Sequence, residues 1–125
     1  AAAHAAVEAK RDAVIAAGYS HDFGGAAGTR ILDNRGAADA LNWLGLKDIV
    51  DTMIAAGDGS DTVVIRDASN DGFSASAEAV SGALVAMAMW RASVLTASWA
   101  LKDAVAAAAD EAALAAIDLD AGWPA

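Results

Sequence analysis

Residues 76–109 read SAEAVSGALVAMAMWRASVLTASWALKDAVAAAA, and the fold turns on this stretch. Val80, Leu84, Met87, Val94, Leu101 and Val105 recur at the spacings of one helical face. On an alternating four–three grid, Arg91 and Ser98 take two polar positions of that stripe. Met89, Trp90, Leu95 and Trp99 fall on neighbouring faces, so the apolar arc is far wider than a narrow seam. A helix apolar on most sides must be covered on most sides, by its own chain, by sister chains or by lipid. Ser76 is placed to cap this helix, with Glu78 favourable in its first turn.

Arg91 and Ser98 allow two readings of the covered face. As seam residues they would fix register and oligomer state, and a buried Arg91 would have to meet a carboxylate. In the simpler reading the buried face turns toward Trp90, Leu95 and Trp99 and leaves Arg91 at its edge. Lipid is the weaker cover. Residues 79–101 are about long enough to span a bilayer, but Arg91 stands at their centre, where a charge costs about 2.5–3.5 kcal/mol. Ser81, Ser93, Thr96 and Ser98 dilute the run further, so no membrane partner is expected.

The whole chain has 125 residues, the size of one domain, which could be the C-terminal part of a longer chain. Of its 57% hydrophobic residues, 37 are alanine, so the core must be modest and association between chains is a natural remedy. Seventeen acidic residues against eight basic ones give a net charge of -9, and the basic residues are scattered. Nucleic acid is therefore not an expected partner, because phosphate binding needs clustered Lys and Arg. With no cysteine there is no disulfide, zinc-thiolate site or thiol nucleophile. No basic start followed by an apolar run suggests a signal peptide.

Residues 1–18 read as an alanine-rich entry helix over 2–17, stopped by Gly18. Residues 19–75 read as a helix with small β elements. Thr29 to Leu32 is a strand that residues 19–23 can pair with across Gly24, Gly25 and Gly28. Asp33 or Asn34 is placed to cap a helix over 35–56, which Gly45 could kink. Leu46, Ile49, Val50, Met53 and Ile54 give that helix an amphipathic pattern. Thr62 to Ile65, dense in β-branched residues, begins a hairpin that turns through residues 67–72 and returns through Phe73 and Ser74. Residues 76–109 form the long helix, Asp110 and Glu111 break it, and a last short helix covers 112–119 before Gly122-Trp123-Pro124 closes the chain. The expected class is α+β, predominantly α-helical, with a long C-terminal helix and a small antiparallel β-hairpin element.

Candidate sites are few. Asp67, Ser69, Asp71, Gly72 and Glu78 stand at the offsets of an EF-hand calcium loop, so residues 67–78 suggest a calcium-dependent binding module. The strand-like entry, Ser74 at a normally apolar position and the hairpin character of Asn70-Asp71-Gly72 favour a plain turn instead. The glycines at 24, 25 and 28 lack the lysine and spacing of a phosphate loop. His4 and His21 are the only histidines, and Ser20-His21-Asp22 are neighbours along the chain rather than a triad built in space. Asp118 and Asp120 read as a solvated helix end. Trp43, Trp90, Trp99 and Trp123 read as core or interface anchors. No enzyme activity, catalytic residue, cofactor or metal ligand is expected.

The ending Ala112-Ala113-Leu114-Ala115-Ala116-Ile117-Asp118-Leu119-Asp120-Ala121-Gly122-Trp123-Pro124 resembles the close of an uncharacterised domain family of bacteriophage and prophage tail-fibre and tail-fibre-assembly proteins. The order of elements is similar too: Lys10-Arg11 in an alanine-rich helix, Ile31-Leu32-Asp33 at a strand end, and Asp71-Gly72 at a hairpin turn before the long helix. The stretch over 24–28 is longer than usual for the family, and the middle helix is extended around Trp43 and Gly45. The resemblance implies a structural tail-fibre or tail-tip module in the virion, made in the bacterial cytoplasm. Its partners would be other phage tail proteins and further copies of itself, with a homotrimer favoured because tail fibres are generally trimeric. A tail-fibre assembly chaperone is the alternative. Gly122, Trp123 and Pro124 match the family's most recognisable positions and would be structural.

Overall fold

A computed structural model describes residues 2–125. In chain order the elements are α1 (Ala2–Ala16), β1 (Tyr19–Asp22), β2 (Thr29–Leu32), α2 (Ala37–Ala55), β3 (Thr62–Arg66), β4 (Gly72–Ser76), α3 (Ala77–Ala107) and α4 (Glu111–Ala115). The class is α+β and mostly helical, with two antiparallel hairpins and one long helix. The chain divides into two compact units. One holds Ala16–Ala88; the other holds α1 up to Ile15 together with Met89–Ala125. The single helix α3 contributes to both.

In the first unit, β1 pairs with β2 from Tyr19↔Leu32 to Asp22↔Thr29, and β3 pairs with β4 from Thr62↔Ser76 to Arg66↔Gly72. Alternation along the strands turns Leu32, Ile65 and Phe73 inward. They meet Val50 of α2 and Ala77, Val80, Leu84 and Met87 of α3 in one buried cluster. Gly18 permits the turn from α1 into β1. Its φ is +92°, and a Cβ there would lie 2.8 Å from the Leu32 carbonyl oxygen. Only glycine fits both conditions at ordinary cost.

Helix α2 departs from expectation at its start and along its faces. Neither Asp33 nor Asn34 caps it; Gly36 is the N-cap and offers no side chain. Asn34 is instead buried, its Nδ2 donating to the Leu32 carbonyl at 3.2 Å and lying 3.1 Å from the Met87 sulfur. The Asp33 carbonyl accepts the Trp43 indole N–H at 2.7 Å. The Asp39 carboxylate accepts the backbone N–H of Arg35 at 2.9 Å, serving a donor just outside the first turn. Gly45 causes no break, since α2 is continuous through it. Val50 is buried, and Trp43, Leu46 and Met53 pack against the core. Ile49 is 57% exposed and Ile54 36%, so the amphipathic pattern read across both is narrower than expected.

The start of α3 is held three ways. Ser76 Oγ accepts the Ala79 N–H at 3.1 Å, as its capping role requires. The Asp61 and Gly59 carbonyls accept the N–H groups of Ala77 and Glu78 at 2.8 and 3.0 Å.

In the second unit, Val7, Val94 and Ser98 are fully buried and Trp90 is nearly so. The Ser98 hydroxyl donates to the Leu95 carbonyl at 2.6 Å, which satisfies it without a partner from outside the helix. Lys102 bonds Glu8 at 2.8 Å, and Lys10 reaches Asp120 at 3.3 Å. Asp110 caps α4 by accepting the Ala113 N–H at 2.8 Å, and α4 ends at Ala115, short of the expected 119. Trp123 donates its indole N–H to the Leu119 carbonyl at 2.9 Å, which folds the tail back on itself.

Candidate functional site

The polar residues of highest chemical interest are committed to holding the hairpins together. Asp67 Oδ1 accepts the backbone N–H groups of Ser69 and Asp71 at 2.9 and 3.0 Å. Its Oδ2 accepts from Arg30 Nη1 at 3.1 Å. The Asp71 N–H, followed by Arg30 and the Ser69 N–H, holds the Asp67 carboxyl below its ordinary value. Arg30 also donates to the Ala27 carbonyl at 2.6 Å and stacks over the Phe73 ring at 4.6 Å. The Ile31 carbonyl accepts the Ala68 N–H at 2.8 Å, tying the turn after β3 to β2.

These contacts remove the geometry of a calcium loop. Residues 72–76 are strand β4, and Glu78 lies in the first turn of α3 with its side chain packed on Gly59. Three backbone and guanidinium donors already occupy Asp67. Among the described residues no group of three or more His, Asp or Glu side chains converges.

His21 sits inside an aromatic row. Its Nδ1 is 3.2 Å from the Tyr19 hydroxyl, and its ring stacks edge-on with Phe23 at 4.7 Å. Phe23 in turn meets Phe73 at 5.0 Å. Asp22 turns away and accepts the Gly24 N–H at 2.8 Å, so Ser20, His21 and Asp22 do not converge. Strand alternation separates such neighbours. His4 is exposed on α1, and Asp118 and Asp120 are exposed near the end of the chain.

What the structure leaves open is apolar. On α2, Leu41 (68% exposed), Leu44 (66%) and Ile49 form a face opposite Val50. On α3, Val85, Met89 and Trp99 (55% exposed) project from the side opposite Val80, Leu84, Met87 and Val94. The wide arc of the long helix is thus two opposed faces, one covered and one open. Trp90 belongs to the covered face and Leu95 is half-buried; Arg91 is exposed although it stands on the stripe between Met87 and Val94, so no buried arginine awaits a carboxylate. Trp99, expected on the covered side, faces out. Helix α3 is also long and apolar enough to cross a bilayer, with 33% of its most apolar window buried in protein.

A family model matches residues 1–120. The chain belongs to the family described as a domain of unknown function, DUF4376. No curated protein and no solved structure matches it significantly. Two strand residues, Ile31 (47% exposed) and Val64 (73%), are open as well.

Proposed function

We propose that this chain is a structural module of a bacteriophage tail, in the tail fibre or tail tip, acting by self-association and by docking onto other tail proteins. The observation that carries the reading is the pair of open apolar helix faces, Leu41, Leu44 and Ile49 on α2 and Val85, Met89 and Trp99 on α3. Large exposed apolar side chains grouped on one side of a helix are the kind of surface that interaction sites use. The tail assignment itself rests on the resemblance of the ending over residues 112–124. In this reading the side chains perform no chemistry. Work is done by burial, and the acidic remainder of the surface keeps the free protein soluble. The location is the virion, after synthesis in the bacterial cytoplasm.

The test is immunodetection and mass spectrometry of purified particles made by a host carrying the gene, compared with particles from a deletion strain. The chain should be present in stoichiometric amounts, and deletion should remove the fibre or tip. Absence from the particle with loss of fibres on deletion would replace the reading with an assembly chaperone. Normal, infectious particles from the deletion strain would overturn both.

A further inference from the structure

We propose that Met89 is a surface oxidation site, where a peroxide converts the thioether to the sulfoxide while the fold shields Met53 and Met87. The inference is independent of the tail assignment. The chain has three methionines, and the fold treats each differently. Met87 is 6% exposed in the core of the first unit, its sulfur 3.1 Å from Asn34 Nδ2. Met53 is half-buried against the same core. Met89 is 66% exposed. It follows Met87 by two residues, which carries it about 200° round the helix at roughly 100° per residue.

The helix surface around Met89 is open. One turn away on either side stand Val85, Ala86, Ala92 and Ser93, and none of them is buried. The Ser93 hydroxyl donates to the Met89 carbonyl at 3.0 Å, so it is committed to the backbone.

Access decides which thioether reacts, because the sulfur lone pair has to meet the oxidant directly. It attacks one peroxide oxygen, the O–O bond breaks, and that oxygen stays on sulfur. Its proton passes to the departing hydroxide, which leaves as water. Sulfur loses two electrons and the peroxide gains them. The product is a polar, chiral group in place of a flexible apolar one. At Met87 the added oxygen would have to enter where the sulfur meets Asn34, and the core would have to open first. At Met89 it lies in solvent near the exposed Val85. Oxidation therefore makes the open side of α3 more polar without unfolding the chain. A surface sulfoxide is also within reach of the sulfoxide reductases, which reverse the change.

Hydrogen peroxide titration of the intact chain, read by peptide mass mapping, tests this. Met89 should gain one oxygen at least about tenfold faster than Met87, which reacts only through opening of the core, with Met53 between them. The singly oxidised chain should keep its circular dichroism spectrum and urea midpoint. A mixture of the two sulfoxide reductases should return it to its starting mass. Met89→Leu should abolish the fast phase and leave the slower ones unchanged. In urea above the unfolding midpoint the three methionines should react at similar rates. Equal rates for Met87 and Met89 in the folded chain would overturn the proposal. So would a fast phase that survives Met89→Leu, loss of structure on the first oxidation, or a rate difference that persists in urea.

Discussion

Gly18 joins α1 to β1 under two constraints at once, and Gly18→Ala should separate them. Its φ of +92° is a backbone state that costs a non-glycine residue about 1–3 kcal/mol. A Cβ there would also sit 2.6 Å from Ile31 Cγ2 and 2.8 Å from the Leu32 oxygen. The isoleucine is exposed and can move. The carbonyl cannot move freely, because Leu32 is fully buried, pairs with Tyr19 across the hairpin and accepts from Asn34. Overpacking of this kind adds about 1–3 kcal/mol. Lower entropy of the unfolded chain returns about 0.4–1 kcal/mol. The net loss should be about 2–4 kcal/mol, read as a lower urea midpoint at unchanged slope. Gly25→Ala is the control. Its φ is +54° with no atom within 4 Å of the added Cβ, so it should lose only about 1 kcal/mol. Equal losses at the two positions would refute the contact argument, and a stabilised Gly18→Ala would refute both.

Gly45 lies mid-helix in α2 with open space around its missing Cβ, so Gly45→Ala should raise stability by about 0.8–1 kcal/mol in the same urea assay. Leu32→Ala, at a fully buried position, should cost about 2–5 kcal/mol by chemical denaturation. Asp110→Ala removes the α4 cap and should cost about 1 kcal/mol, with faster amide exchange at Ala113. Asp67 titrates below the ordinary 3.8 in the folded chain, held there by the Asp71 N–H and then by Arg30, so the folded state binds fewer protons than the unfolded one. Its contribution is complete above the ordinary value and is lost as pH falls through the folded one. Melting temperature should therefore drop across that acid window, and Asp67→Asn should make the drop shallower.

Most elements were readable from local signals along the chain. Spacing of Val80, Leu84, Met87 and Val94 marked the long helix, Ser76 marked its start and Gly18 marked the end of the first helix, because capping and periodicity are local properties. Both hairpins were legible from β-branched residues bounded by glycine and Asp-Gly turns.

Which residues face inward depended on packing between elements that lie far apart in the chain. Asn34 looked like a cap because asparagine prefers that position, yet burial beside Met87 uses the same amide for the Leu32 carbonyl. The calcium-like spacing of residues 67–78 is real as a string. Pairing of β3 with β4 stretches it out, and Arg30, 37 residues away along the chain, takes the Asp67 oxygen it would need. Leu41, Leu44, Val85, Met89 and Trp99 are as apolar as the residues that form the core. A helix apolar on two sides carries no sequence mark to say which side its own chain covers. That choice depends on where the hairpins and other helices place their apolar faces, and it left Val85, Met89 and Trp99 of α3 exposed.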